Sequence, residues 1–547
     1  MRRAALCAVA LFLLLPAVAA AAPGQISEQR AIRVADRDPK VVEERRKNPG
    51  LGASASMVDG NWEVGYFADG KEQALVVVDP RSGRVRESWT GYQVAWKMAR
   101  GYSGQFGHKL DAPYVFLPLC ALFLAGLFDW RRWRRVANLD LLVLLGFGVS
   151  HVFFNRGEIG VSVPLQYPVL LYLLGRALWI GFRGRGEGLR PVWPVAWMLV
   201  AALFLMGFRV GLNIADSGAI DVGYASVVGA DRITHGEPIY DNFPDDVSQG
   251  DTYGPVNYLA YVPFELAFPW SGSWDDLPAA HGAAVAFDVA TFILLILLAF
   301  RIRPGPAGTR LAATLAFGWA AYPYTAFALE SNSNDTLVAA LLVAALLLLA
   351  RPVARGAMLA LATLAKFAPI LLAPMLMTYE TARATGEGVL RARFSFSAPF
   401  TGRTGRIAFL TGFTVVAVLV LAWPAIDPGL PTMWDRTIGY QAGRESPFSI
   451  WGQVPALEPL RVAILAATAA LSLFLAFRPR RKSLVQVAAL GAALLIALQL
   501  TMHHWFYLYI VWFYPLLLVA LAVVSPTRPA EEPEPSPAES TQPVPAG

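Results

Sequence analysis

Two aspartates, Asp216 and Asp221, stand just beyond an apolar run in the segment IADSGAIDVGYASVVGADRITHGEPIYDNF, with GDTYGPVNYLAYVPF behind them. A carboxylate at that level can take the proton of an attacking hydroxyl, provided the substrate is held within hydrogen-bond reach. The same loop, residues 212 to 280, also carries Asp231, Glu237, Asp241, Asp245, Asp246 and Asp251, and Arg232 is its only Lys or Arg. Crossing a bilayer requires no such loop. Cations and aromatic rings come from two later segments, MWDRTIGYQAGRESPFSIWGQ with Arg436, Tyr440, Arg444, Trp451 and Gln453, and TMHHWFYLYIVWFYP with His503, His504, Trp505 and Tyr507. Neighbouring histidines on a helix diverge by about 100°, so no shared metal site and no cofactor are expected of His503 and His504.

The elements that must position these groups are apolar helices. The chain has 547 residues, of which 55% are hydrophobic and 16% charged, with a mean hydropathy of +0.45. That exceeds what a soluble core needs and predicts a polytopic α-helical membrane protein. The net charge of +6 resides in short arginine clusters between apolar runs, where it orients helices, so no nucleic-acid partner is expected. Runs of spanning length fall at about 112–129, 138–154, 162–182, 192–211, 281–300, 311–329, 335–350, 407–424, 461–477, 484–501 and 505–524, eleven in all. With an exported N-terminus, the Arg131–Arg135, Arg183–Arg190, Arg301–Arg310, Arg351–Arg355 and Arg478–Lys482 loops all fall inside, as the positive-inside rule requires.

The stretch GAMLALATLAKFAPILLAPMLMTYE, residues 356 to 380, tests that scheme because Arg383, Arg391, Arg393, Arg403 and Arg406 follow it. A single crossing would place those arginines outside. The charge pattern therefore predicts a helical hairpin broken at Lys366 to Pro369, with the Lys366 ammonium reaching a polar cavity. Asp288, seven residues after His281 on one helical face, is a further ionisable group at membrane depth.

Residues 1–22 read as a secretory signal: Arg2 and Arg3, an apolar run, then small residues before Pro23. Cys7 lies in that signal and Cys120 in an apolar run, which leaves no disulfide pair and no cysteine metal site. Residues 23–108 read as a small extracytoplasmic α+β domain, with ISEQRAIRVADRDPKVVEERR helical and NWEVGYFADGKEQALVVVDPRSGRVRESWTG forming three strands around the Asp69-Gly70 and Pro80–Gly83 turns. Three additional transmembrane helices occupy 109–190. The tail, 526–547, is Pro-rich and acidic and is expected to be disordered on the cytoplasmic side.

Two resemblances follow from these residues. ISEQRAIRVA and VVVDPRSGRVRE resemble the PepSY domain family, which implies an inhibitory or binding module. Residues 191–525 resemble the glycosyltransferase-C superfamily, and within it glycosyltransferase family 87, in five respects: Asp221 and Tyr224 followed by Gly236 and Tyr240; Tyr253-Gly254-Pro255, where the family more often has Tyr-Pro-Pro; the polar break Asn332, Asn334, Asp335; Lys366 and Pro369 within an apolar hairpin; and His503, His504 and Trp505 near the end. The apolar runs thus give a bundle of about eleven spans plus a broken hairpin, glycosyltransferase-C-like over 191–525, with the three additional spans and the N-terminal module outside the family pattern; a bacterial-type inner membrane is the expected location.

The resemblance implies transfer of a sugar, mannose as first guess, from a polyprenyl-phosphate donor to an extracytoplasmic lipid or glycan acceptor, with inversion and without a metal or other cofactor. A sugar phosphate is already a good leaving group, so one carboxylate base and cations for the departing phosphate suffice. Asp221 is the expected base, with Asp216 as its competitor. Lys366, Arg444, His504, His503 and Arg436 are the expected phosphate partners, and Tyr224, Tyr240, Tyr253, Asn334, Asp335, Gln453 and Trp505 the expected substrate-binding residues. A lipid-linked-sugar transporter, or a binding and assembly protein built around the PepSY-like module, are the competing classes. The sugar, the acceptor and the oligomeric state stay open.

Overall fold

The computed structural model describes residues 25–184, 186–380 and 402–523, in two compact units that divide between Gly101 and Tyr102. The expected signal, the tail, and Arg383, Arg391 and Arg393 after the hairpin lie outside the described residues.

In the first unit, α1 (Glu28–Ala35) and α2 (Pro39–Lys47) precede a four-stranded antiparallel meander, β1 (Gly52–Val58), β2 (Asn61–Ala68), β3 (Lys71–Val78) and β4 (Val85–Thr90). The helical stretch breaks at Asp36–Asp38 because Pro39 starts a new helix and the Asp38 carboxylate caps it, accepting from the Lys40 N–H. Alternation along β2 and β3 turns Val64, Tyr66, Ala74, Val76 and Val78 onto Ala31, Ala35 and Val41. Strand β1 had no sequence signal: GASASMV lacks β-branched and aromatic alternation and is mostly exposed. It is held by its register with β2 and by the Asp59-Gly60 turn, where both residues have positive φ.

The second unit is a helical bundle. Its helices include α3 (Pro113–Leu127), α4 (Val136–Leu145), α5 (Phe147–Asn155), α6 (Ile159–Arg183), α7 (Val195–Asp216), α8 (Asp221–His235), α9 (Pro255–Ala267), α10 (Pro278–Ile302), α11 (Gly305–Ala321), α12 (Pro323–Glu330), α13 (Asp335–Leu347), α14 (Pro352–Ala365), α15 (Ala373–Met377), α16 (Gly402–Ile426), α17 (Glu458–Phe477), α18 (Leu484–Gln499) and α19 (Ile510–Ala522), with short helical turns at Leu430–Trp434, Tyr440–Gly443 and Ile450–Gln453.

Six helical segments are long and apolar enough to cross a bilayer: 136–155 (α4 with α5), α6, α7, α10, α16 and 455–477, which includes α17. Apolar side chains stand exposed along them, among them Val200, Leu203 and Phe204 on α7 and Val418 and Leu419 on α16, the pattern of lipid-facing surface. Each of the eleven apolar runs coincides with helix, but the remaining five are shorter or interrupted. The run 311–329, for instance, splits at Tyr322, because Pro323 opens a new helix and cannot continue the old one.

The stretch around Lys366 breaks as the charge pattern required. Helix α14 ends at Ala365, Lys366 is extended, and a 3₁₀ turn at Ala368–Leu372 leads into α15. The chain then doubles back, for Tyr379 lies with its ring 5.3 Å from the Arg355 guanidinium near the start of α14.

Inside the bundle the Arg209 guanidinium donates to Asp288 at 2.9 Å, and the Trp319 indole N–H donates to the same oxygen at 2.9 Å. Arg209 also donates to Thr325, so one node joins α7, α10, α11 and α12. A buried charge is tolerated when paired and hydrogen-bonded in this way. His281 does not share the node. Its ring meets Asn213 and Ser217 instead.

Candidate active site

Asp221 is the first residue of α8, and the start of that helix is fixed from two directions. The Ile220 N–H donates to the Ser331 carbonyl at 3.2 Å. Gly223 packs so closely on the turn before α13 that a Cβ there would lie 2.4 Å from the Asn332 carbonyl oxygen. Asn332 itself has φ 47°, a left-handed conformation that asparagine tolerates better than most residues, and its amide is held by Asn213 and Ser217.

The polar break that follows supplies Asp335 at the start of α13. Its Oδ1 accepts from the Lys366 ammonium at 2.5 Å and from the Trp512 indole at 2.7 Å. Both members of the ion pair are buried, Asp335 fully and Lys366 with 8% exposure. Three rings surround the ammonium, Tyr253 at 5.2 Å, Trp512 at 5.3 Å and Tyr509 at 5.6 Å, a cation–π enclosure. Tyr253 is brought there by Gly254, whose backbone abuts the end of α14: its N–H donates to the Ala365 carbonyl, and a Cβ on it would stand 2.0 Å from the Leu364 carbonyl oxygen. Pro255 then starts α9 at the position where a missing N–H costs nothing.

Asp221 shares this neighbourhood. It stands exposed at the start of α8, near enough to Arg444, Lys366 and Asp335 for their charges to act on its carboxylate. The loss of water raises its pKa, against the opposing pull of the Val222 N–H at 2.9 Å and of the Arg444 and Lys366 charges. Burial and the nearby Asp221 charge hold the Tyr253 phenol well above its ordinary value. The His504 ring, with Nδ1 2.9 Å from the Ser446 hydroxyl, is pushed well below its usual range by burial and by Arg444, so it is neutral at pH 7. Asp221, Arg444, Lys366, Asp335, Tyr253 and His504 thus converge from six separated stretches of chain.

No protein-family model and no curated protein matches this chain. Its chemistry has to be read from the convergence itself.

The remaining expected residues are engaged elsewhere. Asp216 accepts from the Lys109 backbone N–H and pairs with the Lys109 ammonium, each at 2.9 Å, which favours Asp221 as the open carboxylate. Arg436 makes a two-pronged contact with buried Asp251, at 2.6 and 2.8 Å, and donates to the Ser248 carbonyl. That clamp raises its pKa and ties the 430s segment to the acidic loop.

His503 lies 3.1 Å from Glu458, so the two histidines serve different partners. Tyr224 donates to Asp246 and packs on Trp274, and Tyr240 donates to the Tyr253 carbonyl; both are buried. Gln453 donates to the Ile159 and Pro447 carbonyls, and Asn334 to Ser226. Trp505 is buried, stacks on Phe147 and donates to Gln499, a packing position in this structure.

Tyr509 and Trp512 were not singled out from sequence, although their spacing of three placed them one turn apart on one face. Ser446 and Arg209 carried weaker signals, the second being a charge inside an apolar run.

Proposed function

We propose that this chain is a membrane glycosyltransferase that moves a sugar from a polyprenyl-phosphate donor onto a hydroxyl of a lipid or glycan acceptor outside the membrane. The observation that carries the reading is the convergence itself: one exposed carboxylate with a raised pKa, Asp221, within electrostatic reach of Arg444 and of a buried Lys366–Asp335 pair. Such a carboxylate is suited to accept a proton at neutral pH, and a cation beside it is suited to a phosphate.

In the proposed reaction Asp221 takes the acceptor hydroxyl proton as its oxygen attacks the anomeric carbon. The bond from that carbon to the phosphate oxygen breaks, and polyprenyl phosphate leaves with the electron pair. Arg444 stabilises the phosphate charge. The Lys366 charge is already matched by Asp335, so its part is to hold the rings and the local field beside Asp221, in place of direct phosphate neutralisation. The neutral His504 beside Arg444 serves as a hydrogen-bond partner and adds no second charge. Attack from the face opposite the phosphate inverts the anomeric centre, and mannose is the first sugar to try. The first unit is proposed as an extracytoplasmic binding module for this enzyme.

The test is transfer of radiolabelled sugar from a panel of polyprenyl-phosphate donors to membrane acceptors, comparing wild type with Asp221→Asn and Asp216→Asn in folded preparations. Turnover lost with Asp221→Asn and kept with Asp216→Asn supports the reading. Consumption of no donor, or activity surviving Asp221→Asn, overturns it and favours transport of a lipid-linked sugar or an assembly role.

A further inference from the structure

A cavity of about 460 Å³ lies at the other end of α7 from Asp221, walled by the turn after α3, the segment leading into α7 and the first turns of α11. Four arginines line it: Arg131, Arg132, Arg190 and Arg310. None of their guanidinium groups has an ion-pair or hydrogen-bond partner among the described residues. The one carboxylate in the lining, Asp129, is already paired with Arg135 at 3.2 Å, and its backbone N–H is held by Asn138. All four arginines are exposed, so water screens their mutual repulsion, and the cavity sets them around one opening where a single anion can meet several guanidinium groups at once.

We infer that this cavity binds the phosphate headgroup of an anionic membrane lipid. Guanidinium groups suit a phosphate mono- or diester because their fork of N–H donors matches two phosphate oxygens. The surroundings favour a lipid over free phosphate. Trp193 lines the cavity, and Trp130, Trp133 and Trp197, each next in sequence to a lining residue, are exposed by 56%, 64% and 72%, as aromatic residues are at headgroup level. Directly beyond Trp197, the exposed Val200, Leu203 and Phe204 continue along α7 as a face on which acyl chains can lie. Basic pockets between helices at one membrane face are a recurrent form of headgroup recognition. The α7 helix has 22 residues, so the cavity is about 30 Å along its axis from Asp221, too far for the two to share a ligand headgroup. The inference stands independently of the transferase reading.

The test uses the full purified chain in detergent. Thermal shift and native mass spectrometry are run with phosphatidylglycerol, cardiolipin, phosphatidylcholine and inorganic phosphate. The variants are Arg190→Gln, Arg310→Gln and the double Arg190→Gln/Arg310→Gln, with Arg480→Ala/Arg481→Ala in a different basic loop as control. Wild type and control are expected to retain phosphatidylglycerol or cardiolipin over phosphatidylcholine. The double variant should lose at least tenfold in apparent affinity at an unchanged midpoint in phosphatidylcholine. If the double variant misfolds, each single variant must still weaken anionic-lipid binding. Equal binding by the single variants and wild type overturns the inference, as does an equal loss in the control or binding of inorganic phosphate at the same concentrations as the lipids.

Discussion

The Lys366 ammonium donates to Asp335 across 31 residues of sequence, and the pair is buried between the start of α13 and the break after α14. It fixes both irregular pieces of backbone beside Asp221. Removing one partner leaves a charge in protein interior without its counterpart, a loss of roughly 3–5 kcal/mol. Lys366→Met and Asp335→Leu should each lower the thermal unfolding midpoint sharply, and the double variant should recover much of the loss. A double variant as unstable as the sum of the singles would mean that the charges do not act as a pair.

Gly254 offers a purely steric test. A methyl group there meets the Leu364 carbonyl oxygen at 2.0 Å, a contact that backbone must move to relieve. Overpacking of this kind costs about 1–3 kcal/mol. Gly254→Ala is expected to shift Tyr253 away from Lys366 and to reduce transfer activity more than stability, read by turnover beside a melting curve. Gly236→Ala, with open space around the added methyl but φ 73°, should cost stability through backbone strain and leave the Tyr253 contact intact.

Asp221 gives two opposite signs. As a base it works deprotonated, so transfer should rise with pH through an ionisation above the ordinary carboxylate range of about 4, and the limb should vanish with Asp221→Asn. For stability, a raised folded pKa means that the folded chain holds the proton more tightly than the unfolded one. The contribution is fully present below the unfolded pKa and is lost as pH rises through the folded pKa. Asp221→Asn should therefore melt higher than wild type at pH 7 while losing on the order of 10²–10⁴ in rate. A variant that loses rate and melts lower would point to a structural carboxylate.

The Arg436–Asp251 clamp joins segments 185 residues apart. Asp251 is fully buried and depends on that guanidinium and on the Asp241 N–H at 2.7 Å. Arg436→Ala should cost about 3 kcal/mol or more and open the 236–254 loop to limited proteolysis. Arg436→Lys should rescue only in part, because an ammonium cannot reproduce two parallel donors. Full protection of the loop in Arg436→Ala would remove the clamp from the account.

Helices were legible wherever apolar runs ended at proline or glycine, and the hairpin at Lys366 was legible because arginines crowded behind it. The α+β unit was read through β2, β3 and β4, whose alternation survives in sequence, while β1 was invisible because its place is set by pairing and turn geometry. Asp221 was marked by its position after a span. Its partners were marked only by type. Nothing in sequence tells that Lys366 meets Asp335 or that Arg436 meets Asp251, since ion pairs between distant segments are fixed by tertiary packing. Trp505, Tyr224 and Tyr240 carried the same aromatic signal as Tyr253, and only packing decides which ring meets the Lys366 ammonium and which is core.

Arg209 occupies α7 at about 21 Å from its Val195 end and about 10 Å from its Asp216 end, and the bond to Asp288 anchors the helix there. Closer to that end Asn213 donates to the Leu329 carbonyl and to Asn332, and Asp216 pairs with Lys109, so the short arm is fastened again beyond the node. These polar fastenings fall in about the third of the helix nearest Asp221, so they hold it like the built-in end of a cantilever and keep the residues before Asp221 in register with the turn at Asn332.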